Sequence, residues 1–151
     1  MKFYVDTIEV KVQKKKGVLN LNPYMADAVK KAGIRNGFIV VQSLHTTAGI
    51  MGQEDENGIL IHDMPRLLDR LVPEKSDYCH DDLVNRHPRV GPDERKNGKA
   101  HLEYMLLAHP SMIFIIHDYR IEFGSWLSAL FIDFDPIGRK SRRIMIAVIG
   151  E

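Results

Sequence analysis

The chain has a single cysteine, Cys79, among 151 residues. One thiol excludes an internal disulfide and a zinc knuckle built on paired thiolates, and such usage points to a reduced, cytoplasmic setting. No apolar stretch approaches the ~20 residues that a bilayer-spanning helix needs. The amino-terminal run Met1-Lys-Phe-Tyr-Val-Asp lacks the apolar core of a secretory signal. Charge of one sign is also missing. Lys and Arg number 21 against 20 Asp and Glu, for a formal net charge of +1. No global field therefore draws the protein to nucleic acid or membrane, and neither is expected as a partner. Glycine-rich phosphate loops are absent: there is no Walker A motif, no dinucleotide fingerprint and no Gly-x-Ser-x-Gly elbow. What remains, 44% hydrophobic and 27% charged residues, is ordinary globular composition, and the length fits one domain over residues 1–151.

Hydrophobic periodicity places the elements. Residues 2–13 alternate as a strand through Phe3, Val5, Ile8, Val10 and Val12, before a charged turn at Lys14–Gly17. Asn22 is expected to cap a helix that carries Pro23 in its first turn, holds Met25, Val29 and Ala32 on one face, and stops at Gly33. Gly37 to Thr46 reads as a buried strand, with Ala48 to Gln53 as its partner or its continuation. Leu60, Met64, Leu67, Leu68 and Leu71 share one face of a helix between about Asp55 and Leu71. Because the stripe runs through Pro65, a kink is favoured over a second helix starting near Asp63. Residues 74–99 form a long loop, and loops of that length are often functional. A short helix over 100–108 follows, then strands at 111–117, at 120–134 in one or two pieces, and at 142–150. The last is apolar on both faces, which suits a central strand or one buried against another subunit. Without a βαβ rhythm the fold class is α+β, a compact mixed or antiparallel sheet with about three helices.

Seven histidines are a generous supply. His62 falls opposite its helix's apolar stripe, His87 and His109 each adjoin a proline, and His117 stands at a hairpin end. His45, His80 and His101 remain. Three imidazoles from separate elements can hold zinc with a water in the fourth position; each can equally be a hydrogen-bonded structural residue. Glu54 and Asp63 are candidate bases beside such a site, and Asp81 can orient the imidazole of His80. Capping for Asp63 and a turn role for Asp81 are the alternatives. The basic residues of the long loop, among them Arg86 and Arg95, are diluted by acids but could attract a phosphate.

Seven segments occur in an order that resembles the YjbQ family: "HTTAGI", "QEDENG", "HDMPRLLDRLVPE", "YCHDD", "NGKAHLEYMLL", "FGSW" and "RRIMIAVIGE". The resemblance implies a homotrimer with a polar pocket of histidines and carboxylates near a subunit boundary. It adds Thr46, Thr47, Ser125 and Trp126 as ligand-binding candidates beside Asp81, supports Asp63 and Glu54 as catalytic, and supports His45, His80 and His101 as ligands of a divalent metal, zinc by preference. Its label, secondary thiamine-phosphate synthase, implies a phosphorylated small-molecule ligand. A non-catalytic trimer that binds a small ligand or metal is the alternative. This chain departs from the pattern at Leu127, where a glutamine is usual, at Tyr119, where a glycine is common, and in its longer loop over 82–96.

Overall fold

The computed structural model describes residues 1–12, 17–86, 90–91, 93–137 and 141–151. The expected turn at 14–16 lies outside them, as does His87. Among the described residues, eight strands and three α-helices run in the order β1 (Lys2–Val10), β2 (Gly17–Asn20), α1 (Asn22–Ala32), β3 (Gly37–Ser43), β4 (Ala48–Glu54), α2 (Met64–Leu71), α3 (Gly98–Leu107), β5 (Ser111–His117), β6 (Arg120–Ile121), β7 (Leu127–Asp133) and β8 (Arg142–Gly150). The α+β class is as expected, and every strand pairing is antiparallel.

The strands make two sheets, one ordered β1-β8-β3-β5-β6 and one ordered β2-β7-β4. Period-two alternation explains how they stack. Ile144, Ile146 and Val148 of β8 turn inward with Ile39 and Val41 of β3, against Met25 and Val29 of α1 and against Ala48, Ile50 and Phe131 of the smaller sheet. The other face of the smaller sheet presents Met51, Leu130 and Ile132 to Leu60, Met64 and Leu68 of the second helical segment and to Ala100 of α3. The outer face of the large sheet is apolar as well. Phe3, Ile149, Phe38 and Ile115 stand in one cross-strand row, and Val5, Ala147, Val40 and Ile113 in the next. Phe3, Phe38, Ile113 and Ile115 are all more than half exposed.

Four expectations need correction. Ala48 to Glu54 is neither partner nor continuation of β3: it belongs to the other sheet and pairs with β7. His45, Thr46 and Thr47 are therefore the crossing between sheets, stapled by the buried hydroxyl of Ser43, which donates to the Ala48 carbonyl at 2.5 Å. Asn22 does not cap α1. Its side chain reaches β7 instead, accepting from the Ala129 N–H at 3.0 Å and donating to Ser128 Oγ at 3.3 Å. The chain stays helical through Pro65, but Gly58–Asp63 is a π-helical segment that passes directly into α2. Pro65 then falls in the first turn of α2, where its missing N–H costs little. Finally, β2 was not expected, because four residues carry too little period.

The β5–β6 hairpin turns through Asp118 and Tyr119, both at positive φ, +48° and +64°. That is the type I′ signature. The tyrosine that replaces a glycine common in the resembling family thus occupies a conformation that glycine adopts freely.

Candidate polar site around His80 and His101

A buried arginine–carboxylate network ties the ends of the two sheets together. Arg142, at the start of β8, forms a bidentate pair with Asp133 at the end of β7, with both N···O distances 2.7 Å. The same guanidinium donates to the Asp135 carbonyl at 2.8 Å and to Thr47 Oγ1 at 3.3 Å. Asp135 accepts from Arg95 Nη2 at 2.6 Å and from Asn97 Nδ2 at 2.9 Å. The network so passes from the sheet crossing at Thr47 to the residues that precede α3. Sequence reasoning named Thr47 but missed Arg142, Asp133 and Asp135. The signal was present: in Phe131-Ile-Asp-Phe-Asp135, two carboxylates sit two residues apart in an otherwise apolar strand.

His101 stands one turn into α3, and its ring meets that of His80 with centroids 4.5 Å apart. His80 arrives on a short 3₁₀ turn, Cys79–Asp81. Asp81 fixes that turn to the helix by accepting from the Gly98 N–H at 2.8 Å, and its Oδ1 also lies 3.4 Å from His80 Nδ1. Arg86 folds back over His80. Its Nη1 donates to the His80 carbonyl at 2.6 Å and lies 3.0 Å from each ring nitrogen. Burial lowers the pKa of His101 below its usual 6.5, the nearby His80 and Arg86 lower it further, and Asp135 and Glu94 oppose them. His101 is therefore neutral at physiological pH, with a nitrogen lone pair free to accept a proton.

That shift has a consequence for stability. A histidine with a depressed folded pKa takes up protons more readily in the unfolded chain. Stability should therefore fall as pH drops from about 6.5 through the folded value, and level off below it. Urea midpoints measured from neutral pH to about pH 5 should show this slope, and His101→Gln should flatten it. An unchanged slope in that variant would remove His101 as its source.

The other expected residues lie elsewhere in the subunit. His45 accepts from the Arg143 backbone N–H through Nε2 at 2.8 Å, at the sheet crossing. Thr46 is exposed. Glu54, Ser125 and Trp126 line a cleft of about 460 Å³ together with Asp55, Glu56 and Asn22. There Asp55 accepts from Asn20 Nδ2 and Glu56 caps the π-helical segment at Gly58 and Ile59. Asp63 lines a different, apolar pocket and makes no capping hydrogen bond. Among the described residues no three His, Cys, Asp or Glu side chains converge as a metal site. One subunit thus offers His80 and His101, where zinc takes three or four protein ligands, and the Arg86 guanidinium lies where a cation would approach His80.

No helix among the described residues is long and apolar enough to cross a membrane. The family described as UPF0047 protein YjbQ-like matches residues 6–151. A UPF0047 protein of Methanocaldococcus jannaschii is 26% identical over 143 residues, covering 95% of this chain and 92% of that protein. One of Methanothermobacter thermautotrophicus is 26% identical over 151 residues, covering 100% and 95%. Among solved structures, a YbjQ-like protein of unknown function from Sulfolobus solfataricus superposes with a TM-score of 0.82 at 23% identity, over 99% of each chain. A hypothetical protein from Aeropyrum pernix gives 0.79 at 23% identity, over 98% and 99%.

Proposed function

Because the chain belongs to the YjbQ-like UPF0047 family along nearly its whole length, we propose that it is a homotrimeric cytoplasmic enzyme that acts on a small phosphorylated or carboxylated metabolite at the His80–His101 pair. The observation that carries this reading is Arg86 folded onto the ring of His80, which itself meets the ring of His101 with centroids 4.5 Å apart. A planar guanidinium is the preferred partner of phosphate and carboxylate oxygens. Arg86 would bind the anionic group, neutral His101 would accept a proton from the reacting atom, and His80 would relay or return it. Asp81 positions His80 and the start of α3. The reaction suggested by the family resemblance, thiamine phosphate formation, joins two phosphorylated heterocycles and is the first to assay.

Titration with inorganic phosphate tests the anion site. Arg86→Gln should weaken phosphate binding roughly tenfold or more, since a charge-assisted hydrogen bond contributes about 1.5–3 kcal/mol. Equal affinity in the variant and the wild type would refute the role of Arg86.

The paired imidazoles favour a second reading, in which zinc takes His80 and His101 after Arg86 swings away, with a donor from outside the subunit completing the set. Zinc in that position would lower the pKa of a bound water. Elemental analysis decides: His80→Ala or His101→Ala should then lose most bound zinc while His62→Ala retains it.

The trimer rests on the apolar rows Phe3–Ile149–Phe38–Ile115 and Val5–Ala147–Val40–Ile113, a contiguous exposed patch of the kind that marks an interface. Light scattering should give about three times the 17.3 kDa chain mass. Phe38→Lys with Ile115→Lys should give the monomer; a wild-type monomer at micromolar concentration would overturn the assignment.

A further inference from the structure

The pocket that Asp63 lines has no role in the anion site. It holds about 310 Å³, within the size range of small-molecule sites. Its floor is Met51 of β4 with Leu60 and Met64 of the helical segment, and Leu67 and Leu107 form its walls. The π-helical turn Gly58–Asp63 runs along one side, a geometry that recurs at functional sites. Only two lining residues carry polar side chains. Gln53 accepts from the Glu54 N–H through its carboxamide oxygen at 2.8 Å. Asp63 is the one charged residue on the wall, and among the described residues its carboxylate has neither a hydrogen-bond nor an ion-pair partner.

We infer that this pocket binds a small amphiphilic amine, with its ammonium on Asp63 and its hydrocarbon body on Met51, Leu60 and Met64. Charge complementarity selects the occupant. A lone carboxylate at the edge of an apolar hollow gains a charge-assisted hydrogen bond from an ammonium and repels a fatty acid. The apolar floor supplies the remainder of the affinity through buried area and is indifferent to charge. A ligand without a tail would leave the floor wet, and one without a cation would leave the exposed Asp63 carboxylate to water alone. The inference is independent of the His80–His101 reading, so either can fail alone.

Three probes of equal length separate the contributions: hexylamine, hexan-1-ol and hexanoate, titrated into the full-length protein with methyl-labelled methionine. The Met51 and Met64 methyl resonances should shift with hexylamine, whereas Met25, fully buried in the other core, should not. Hexylamine should bind roughly threefold to fivefold more tightly than hexan-1-ol, the scale of an ion pair on an exposed carboxylate, and hexanoate weakest. Asp63→Asn should bring the amine down to the level of the alcohol without changing the melting temperature or the oligomeric mass. Equal affinity for amine and alcohol in the wild type, or shifts that spare Met51 and Met64, would overturn the inference. So would protection of Leu67 by a second copy of the chain in hydrogen exchange or cross-linking.

Discussion

Arg142→Met is expected to destabilise the protein by about 3–5 kcal/mol, the usual cost of removing one partner of a buried ion pair. Arg142, Asp133, Asp135 and Thr47 are each less than a tenth exposed. With the guanidinium gone, Asp133 keeps the Asp135 N–H at 3.0 Å as a hydrogen-bond donor, and its charge stays out of water without compensation. The Asp135 carbonyl and the Thr47 hydroxyl each lose a donor too. Urea denaturation should show the loss as a lower midpoint at unchanged slope. The double variant Arg142→Met/Asp133→Leu should recover much of it, because two apolar groups replace a matched pair far better than one unmatched charge does. A loss below about 1 kcal/mol, the range of an exposed pair, would mean that the interior holds these charges much less strictly than their burial implies. Phosphate affinity should fall with Arg142→Met as well, since Asp135 anchors Arg95 and Asn97 immediately before the helix that carries His101.

His101→Ala should reduce turnover by roughly 10²–10⁴-fold on any substrate that uses the pair as acid and base. Its ring is half-buried rather than central to either core, so the melting temperature should move little. The pH–rate profile distinguishes chemistry from packing. Wild-type kcat/KM should lose activity on the acid side as His101 becomes protonated, at a pH below 6.5, and that limb should vanish in the variant. His101→Gln, which keeps bulk and a hydrogen bond but cannot take up a proton near neutral pH, should resemble the alanine variant in rate. Retention of wild-type turnover by His101→Gln would exclude His101 as the base.

Strands written as continuous apolar runs were legible from sequence: 111–117 and 142–150 match β5 and β8 end to end. What failed was non-local. The helix expected from Ala100 begins at Gly98 because Asp81, seventeen residues earlier, receives the Gly98 N–H, a contact no local pattern announces. His45-Thr46-Thr47 looked like the end of a strand delivering an imidazole to a pocket. The apolar residues on both sides fit one strand or two equally well, and only the pairing of β4 with β7 shows that the segment changes sheets. For the site, the pairing of His80 with His101 and the placement of Asp81 beside them bring together three of the expected residues. His45, Glu54 and Asp63 lie apart from that pair within the subunit, as do Ser125 and Trp126. Periodicity reports which face a side chain occupies and says nothing of which pocket lies beneath that face.

The order of strands in the large sheet also bears on how the chain is made. β8 lies between β1 and β3, paired to both along its length. A ribosome releases β1 and β3 long before β8 exists. Throughout synthesis the two earlier strands have open edges facing a gap that only the latest strand can fill, and Phe3, Phe38 and Ile115 stand uncovered beside it. Such a sheet folds late, through contacts between β1 and β8 far apart in sequence, a topology associated with slow folding and with exposure to aggregation on the way. Nascent chains that stall before residue 142 should therefore engage chaperones, whereas release of the completed strand should let the sheet close in one step.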